Sequence, residues 1–187
     1  MIYPKKLSSK KGDLIFKILL FSSVLLGIIL FVINKLTTPN IPWATLTNAG
    51  IIYVWITVYY SIKKNTNIAG HVMIQAIAIS LLMLFIDYKL GFEKWSLNIS
   101  IPIIIMIANV TMLILTIVSH KKFIRYAIYQ LIIVLFSMIP VILIGEKIVE
   151  NIVLSIIASS ISVVNLILTL SLSAKDVKDA IIRKFHM

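Results

Sequence analysis

Long apolar runs separated by short polar stretches account for nearly the whole chain. Six runs rich in Ile, Leu and Val cover residues 14–33, 44–62, 68–86, 99–119, 126–145 and 152–171. About twenty residues in a helix, at a rise of about 1.5 Å each, cross a hydrocarbon core about 30 Å thick. The runs are continuous rather than alternating, which favours helices over a barrel, because a helix satisfies its own backbone in lipid. The pattern predicts an all-α bundle of six transmembrane helices.

Basic residues between the runs predict how the chain is threaded. The connections are short, so neighbouring helices should be antiparallel and form three hairpins. Thirteen Lys and Arg fall on the side of the two termini, four fall on the opposite side, and Lys17 lies within the first run. The positive-inside rule therefore predicts that both termini are cytoplasmic. We expect a basic segment (1–13), a membrane domain (14–173) and a basic tail (174–187), with the first run retained rather than cleaved as a leader.

Composition narrows the functional classes. The chain is 60% hydrophobic and 13% charged, against about 45–50% and about 25% in soluble domains. Its net charge of +11 comes from short basic clusters beside the runs, which indicates an inner face attractive to anionic lipid rather than a nucleic-acid partner. Absence of cysteine excludes disulfides and thiolate metal sites. No nucleotide-binding loop or H-E-x-x-H pattern occurs, so we expect no cofactor and no metal.

Polar residues inside the runs are the first candidates for function, because unpaired polar groups in lipid are costly. His71 and Gln75 are four apart on one face of the third run, near its cytoplasmic end. Asn109 and Asn165 lie near the middles of the fourth and sixth runs. Hydrogen bonds between helices are the simplest use of these groups. The sharper alternatives are a lipid headgroup or proton at the first pair, and a midplane solute path at the second.

The stretch "DYKLGFEKWS" (87–96) separates the third and fourth runs on the predicted outer side. Its glycine suits a turn and its aromatic residues, including Trp95, suit the membrane interface. We expect Asp87 to end the third helix within reach of water, where it caps the chain or pairs with Lys89 or Lys94. A ligand-binding or proton-linked role for Asp87 is the alternative.

The tail "AKDVKDAIIRKFHM" (174–187) has apolar residues at helical spacing, with Val177, Ile181 and Phe185 at i, i+4 and i+8. This spacing predicts an amphipathic helix at the inner membrane surface. A protein partner that docks on the tail is the alternative. The candidate contacts with lipid or partner are Lys178, Arg183, Lys184, Phe185 and His186.

Short motifs along the chain resemble a family of uncharacterised six-span membrane proteins of Gram-positive bacteria. They are "YP" at 3–4, "PW" at 42–43, "D-x-x-L-G" at 87–91, "WS" at 95–96, "N" at 98, "IP" at 101–102 and 139–140, and the ending "RKFHM". Many members of that family carry an N-terminal zinc ribbon, which this chain cannot form without cysteine. The resemblance implies the six-span fold and the bacterial cytoplasmic membrane, carries over no activity, and draws attention to Asp87, Trp95 and His186.

Three functional hypotheses follow. The first is a non-enzymatic accessory subunit or scaffold, which the scarcity of charge within the runs and the amphipathic tail favour. The second is a small transporter or lipid-binding carrier, favoured by the midplane polar residues, by Pro102 and Pro140, and by a weak hairpin repeat of about 55 residues. The third is a membrane enzyme that uses Asp87 and Glu93. An immunity or resistance role would also suit a small basic membrane protein, but only by analogy of size and composition. Self-association of the chain is left open.

The predicted threading can be tested with single cysteines, because the natural chain has none. Phe92→Cys and Lys122→Cys should react with a membrane-impermeant thiol reagent from opposite sides of the membrane. Labelling of both positions from outside would contradict the six-span arrangement.

Overall fold

Six α-helices make up the fold in a computed structural model that describes residues 10–63, 68–118 and 123–185, with side chains for 12, 14–60, 68–118 and 128–171. No strand occurs in these ranges. A π-helical turn, the π-turn (Ser96–Ser100), leads into the fourth helix. The helices are α1 (Lys10–Thr37), α2 (Trp43–Lys63), α3 (Ile68–Lys89), α4 (Ile101–Val118), α5 (Phe123–Gly145) and α6 (Ile152–Phe185).

Each predicted apolar run is helical wherever the structure describes it, with boundaries within a few residues except at the ends of α1 and α6. Five segments of the described chain are long and apolar enough to cross a membrane, which indicates a membrane protein. They are Leu14–Thr37, Ile68–Lys89, Ser96–Val118, Ile128–Gly145 and Ile152–Ser171. Helix α2 is not among them, because it contains several Thr and Tyr residues and Asn48. Helix α6 runs on to Phe185, so the predicted tail helix, as far as residue 185, continues the helix of the last apolar segment.

The chain divides into two compact units, Met1–Val54 and Trp55–Met187. In the first unit, buried Asn34 organises the turn between α1 and α2. Its Nδ2 donates to the carbonyls of Thr38, at 2.7 Å, and Ile41, at 2.8 Å. Its Oδ1 accepts the backbone N–H of Ala44 at 3.4 Å. One amide side chain therefore satisfies backbone groups at the end of α1 and the start of α2.

Close packing of α1 against α2 in the first unit depends on Gly27. Asn48 Nδ2 donates to the Gly27 carbonyl at 3.2 Å, and a Cβ atom at position 27 would collide with Asn48 Oδ1. Only glycine leaves the room that this contact needs.

The second unit has two apolar clusters. Ala69, Ala76, Ala108, Met112 and Ile133 join α3, α4 and α5. Leu97, Ile101, Ile105, Val149 and Ala158 join the π-turn and α4 to α6 and to the turn that precedes it. Alanine provides three of the five buried residues of the first cluster, which lets its helices approach closely.

Pro102 explains the π-turn that begins the fourth apolar segment. Proline has no amide hydrogen, and its ring clashes with the carbonyl of the residue four positions earlier, here Asn98. A wider turn just before Pro102 relieves this clash: the N–H of Ile101 donates to the carbonyl of Ser96, five residues back. The effect of Pro102 is thus a local widening of the helix, whereas Pro140 lies inside α5 without ending it.

The Gly27 contact predicts the effect of a matched pair of substitutions. Gly27→Leu should lower the free energy of unfolding by about 1–3 kcal/mol, because it overfills the space beside Asn48. Gly50→Leu, in the same unit and with no atom within 4 Å of its Cβ position, should not destabilise the protein. Thermal unfolding in one detergent checks both variants, and equal melting temperatures would contradict the packing.

Candidate functional site

Asp87, in the last turn of α3, is the only acidic residue that is buried among the described side chains, with 0% exposure. Its Oδ2 accepts the backbone N–H of Ser96 at 3.1 Å and the Ser96 hydroxyl at 2.6 Å. The Phe92 N–H donates to the Asp87 carbonyl at 2.8 Å. Residues 91, 92 and 94 adopt positive φ, so the chain turns sharply back toward α3. The carboxyl group therefore caps the π-turn.

Of the two structural roles expected for Asp87, capping is confirmed and pairing with a lysine is not observed, whereas the expectation that water reaches the side chain is wrong. The side chain is buried, and none of its hydrogen bonds or ion pairs in the described chain goes to a lysine. Lys94 Nζ pairs with Glu150 at 3.7 Å. Lys89 Nζ lies 5.7 Å from the centroid of the Phe85 ring. Asp87 bonds Ser96 instead of a lysine, because the backbone N–H and the hydroxyl of Ser96 both reach its carboxyl group.

The turn before α4 is bonded to the turn before α6. Asn98 Oδ1 accepts the backbone N–H groups of Glu150, at 2.8 Å, and Asn151, at 3.1 Å. Asn151 Oδ1 in turn accepts the N–H of Leu154 at 3.3 Å and caps α6. These bonds, with the Lys94–Glu150 ion pair, hold the two turns at one end of the second unit.

A second polar site, which we call the amide cluster, joins α4, α5 and α6 and consists of Asn109, Gln130, Ser162 and Asn165. Gln130 Nε2 donates to Asn109 Oδ1 at 2.6 Å. Asn109 Nδ2 donates to Ser162 Oγ at 2.6 Å. Asn165 Nδ2 donates to the Asn109 carbonyl at 2.8 Å. All four side chains are buried, with 4% exposure or less.

Every donor of the amide cluster is used, whereas two of its acceptors are free. The second amide hydrogens bond the Ile105 carbonyl, the Ser162 carbonyl and Asn109 Oδ1, and the Ser162 hydroxyl bonds the Ala158 carbonyl. Gln130 Oε1 and Asn165 Oδ1 are buried without a hydrogen-bond partner in the described chain. Reversing the Gln130 amide would place its oxygen against Asn109 Oδ1, so its orientation is fixed. The cluster can accept hydrogen bonds from a further group but cannot donate any.

Helix α6 carries a buried polar stripe that includes its part of the amide cluster. The helix rises about 1.5 Å per residue, so the stripe extends for about 21 Å. Ser159 Oγ donates to the Ser137 carbonyl at 2.6 Å, which adds a contact with α5. Ser155 Oγ has no partner in the described chain. The stripe consists of Ser155, Ser159, Ser162, Asn165 and Thr169.

The sequence-predicted candidates divide between several places. Asn109 and Asn165 come together in the amide cluster, as a shared site requires. Gln75 lies elsewhere and donates to Thr57 Oγ1 at 2.9 Å, and the His71 ring meets the Tyr60 ring edge-on at 5.1 Å. These contacts join α3 to α2 and agree with a packing role.

Other candidates lie outside the two polar sites or outside the described side chains. Trp95 directly precedes the π-turn and is half-buried. Glu93 is exposed, whereas Asp87 is buried, so the two acids named in the enzyme hypothesis lie in different surroundings. No group of three or more metal-ligating residues occurs in the described part of the chain. Among the tail candidates the structure describes only the backbone, which is part of α6, for Lys178, Arg183, Lys184 and Phe185. His186 lies beyond the described residues.

Sequence reasoning missed Gln130, Ser96 and Asn98. Gln130 was detectable, because it is a lone amide within an apolar run, the same signal that identified Asn109. Ser96 and Asn98 gave no such signal, since serine and asparagine are ordinary residues in a turn, and they entered only as members of the motifs "WS" and "N".

Comparison with known proteins gives a family and no individual relative. A family model described as "Family of unknown function (DUF6320)" matches residues 3–187. No curated protein and no solved structure matches the chain.

The central position of Asn109 predicts the cost of removing it. Asn109→Leu should lower the free energy of unfolding by about 1–3 kcal/mol, because Gln130 Nε2 loses its acceptor and Ser162 Oγ loses its donor in a buried site. Thr111→Val is the control, since the Thr111 hydroxyl bonds only the Ile107 carbonyl of its own helix, and should change stability by less than about 0.5 kcal/mol. Urea or thermal unfolding in detergent checks both, and an equal effect would contradict the network.

Proposed function

The chain belongs to the DUF6320 family, and we propose that it is a bacterial cytoplasmic-membrane carrier that binds a small polar solute between its helices. It works by reversible binding rather than by catalysis. It has six spans, arranged as three hairpins, and both termini are cytoplasmic. In this arrangement α2 also crosses the membrane, which brings the number of spans to six with the five segments that are long and apolar enough by themselves.

Two observations support this threading. Thirteen of the basic residues fall on the side of the termini and four on the opposite side. The bonds of Asn98 to Glu150 and Asn151 hold the turns before α4 and α6 at one end of the second unit, as hairpins on the same side of the membrane require. Helix α2 ends at Lys63, and Lys64 follows it in the sequence, which fits a C-terminal end on the basic side of the membrane.

The open acceptors of the amide cluster carry the proposal. Gln130 Oε1 and Asn165 Oδ1 are buried without partners, although they lie in one network whose donors are all used. A buried polar atom without a partner costs about 1–3 kcal/mol, so a purely structural network would be expected to leave none. A solute that brings hydroxyl or amine hydrogens would satisfy both oxygens. The polar stripe on α6 would give such a solute further contacts along the helix.

An accessory subunit or scaffold is the second candidate, and the observation that favours it is the length of α6. The helix continues to Phe185, beyond the apolar segment, and its last part carries four basic residues. A helix of this kind offers a contact surface to a protein or to anionic lipid. The amide cluster ranks the carrier above it, because a scaffold has no need of open acceptors in its interior.

One purification separates the two candidates. The protein is extracted with its own lipids into nanodiscs and analysed by native mass spectrometry. We expect the wild type and Thr111→Val to retain a small polar molecule that Gln130→Leu does not retain, since Gln130 supplies an open acceptor and a bond to Asn109.

Each alternative result has a definite meaning. A molecule that Gln130→Leu retains as well as the wild type would contradict the site, and so would the absence of any retained molecule from all three proteins. A stoichiometric protein partner that is lost on deletion of residues 174–187 would instead support the accessory subunit.

A further inference from the structure

We infer that the Asp87 carboxyl group is a binding site for a monovalent cation, either a proton or Na⁺. This site is separate from the amide cluster, and it does not depend on the solute proposed there. The carboxyl group is buried, one of its oxygens is free, and no positive group bonds it within the described chain.

The two carboxyl oxygens of Asp87 have different surroundings. Oδ2 accepts both hydrogen bonds from Ser96, at 3.1 Å from the backbone nitrogen and 2.6 Å from the hydroxyl. Oδ1 is buried and has no partner in the part of the chain that the structure describes. Oδ2 is therefore occupied by the cap of the π-turn, and Oδ1 is available to a ligand.

No charged side chain described near Asp87 forms an ion pair with it. These groups contact other residues or are exposed. Lys94 pairs with Glu150 at 3.7 Å, and Lys89 lies against the rings of Phe85 and Tyr88. Glu93, Glu146 and Lys147 are exposed. The described parts of α3, the π-turn and the turn before α6 thus bring no cation into an ion pair with Asp87.

An isolated carboxylate away from water is costly, and proteins avoid it by neutralising the charge. Two neutral hydrogen bonds to one oxygen reduce this cost but leave the charge in place. A bound proton or metal ion removes it. A single carboxylate suits a monovalent ion, because Ca²⁺ and Mg²⁺ sites need more oxygen ligands and more negative charge, and no cluster of three acidic or histidine residues lies in the described chain.

Two variants separate the cation site from the structural cap. Asp87→Asn keeps an oxygen for the Ser96 bonds and replaces the second oxygen with a neutral NH₂ group, so it removes cation binding and retains the cap. Ser96→Ala removes the hydroxyl bond and retains the carboxyl group, so it weakens the cap and leaves the cation site.

The experiment measures the melting temperature of the full chain in nanodiscs of one lipid composition. One series varies pH without Na⁺, and the other replaces choline by Na⁺ at constant ionic strength and fixed pH. The wild type should gain about 3–6 °C relative to Asp87→Asn for each tenfold rise in the concentration of the bound cation above its dissociation constant. A gain in the first series identifies the proton, and a gain in the second identifies Na⁺.

The melting temperatures of the two variants decide whether Asp87 binds a cation. Ser96→Ala should have a lower melting temperature than the wild type and the same cation response. If the wild type and Asp87→Asn respond identically in both series, Asp87 binds neither cation and the inference is wrong.

A spectroscopic measurement covers the case in which Asp87→Asn does not fold. The chain has four aspartates, so carboxyl-labelled aspartate in the wild type gives a simple infrared spectrum. A protonated carboxyl band near neutral pH, or a carboxylate band that shifts on addition of Na⁺, would support the site. A spectrum with neither feature would overturn it.

Discussion

Lipid offers no groups that compete for a hydrogen bond between two helices. The interhelical hydrogen bonds inside this protein centre on one residue, Asn109. Asn109 Oδ1 on α4 accepts from Gln130 on α5 and from Asn165 on α6. Lipid offers no hydrophobic driving force between apolar helices, so packing and polar contacts determine which faces meet. Asn109 thus restricts how three helices are rotated relative to one another, because its Oδ1 accepts from Gln130 at 2.6 Å and its backbone carbonyl accepts from Asn165 at 2.8 Å.

The same constraint acts at the end of the bundle where α3 meets the π-turn. Pro102 removes a backbone donor and forces a wider turn, and the N-terminal backbone of that turn needs an acceptor. Asp87 supplies it through Oδ2. The second unit is therefore held at two levels, by an acidic cap at the turns and by neutral amides within the spans, and the charge is confined to the level nearer the turns.

Both polar sites have free oxygens and no free nitrogen. The unpartnered buried atoms of the described chain are Ser80 Oγ, Asp87 Oδ1, Gln130 Oε1, Ser155 Oγ and Asn165 Oδ1. The two serine hydroxyls can donate as well as accept, whereas the carboxyl and amide oxygens of Asp87, Gln130 and Asn165 are complementary only to groups that bring hydrogens or positive charge. This common property connects the solute proposed for the amide cluster with the cation proposed for Asp87, although each stands on its own geometry.

The sequence by itself determined the all-α class, the positions of the six helices and the membrane character. A helix forms its backbone hydrogen bonds within one segment, and a run of about twenty apolar residues indicates a segment that lies in lipid. It also marked Asn109 and Asn165 as costly polar positions. Only the tertiary structure decided that these residues share one site with Gln130, and that Asp87 bonds Ser96 rather than a lysine. Those partners are separated by 56, 21 and 9 positions in the chain. The rotation of each helix and the path of each turn select the partners, and neither is encoded in the local pattern of apolar and polar residues.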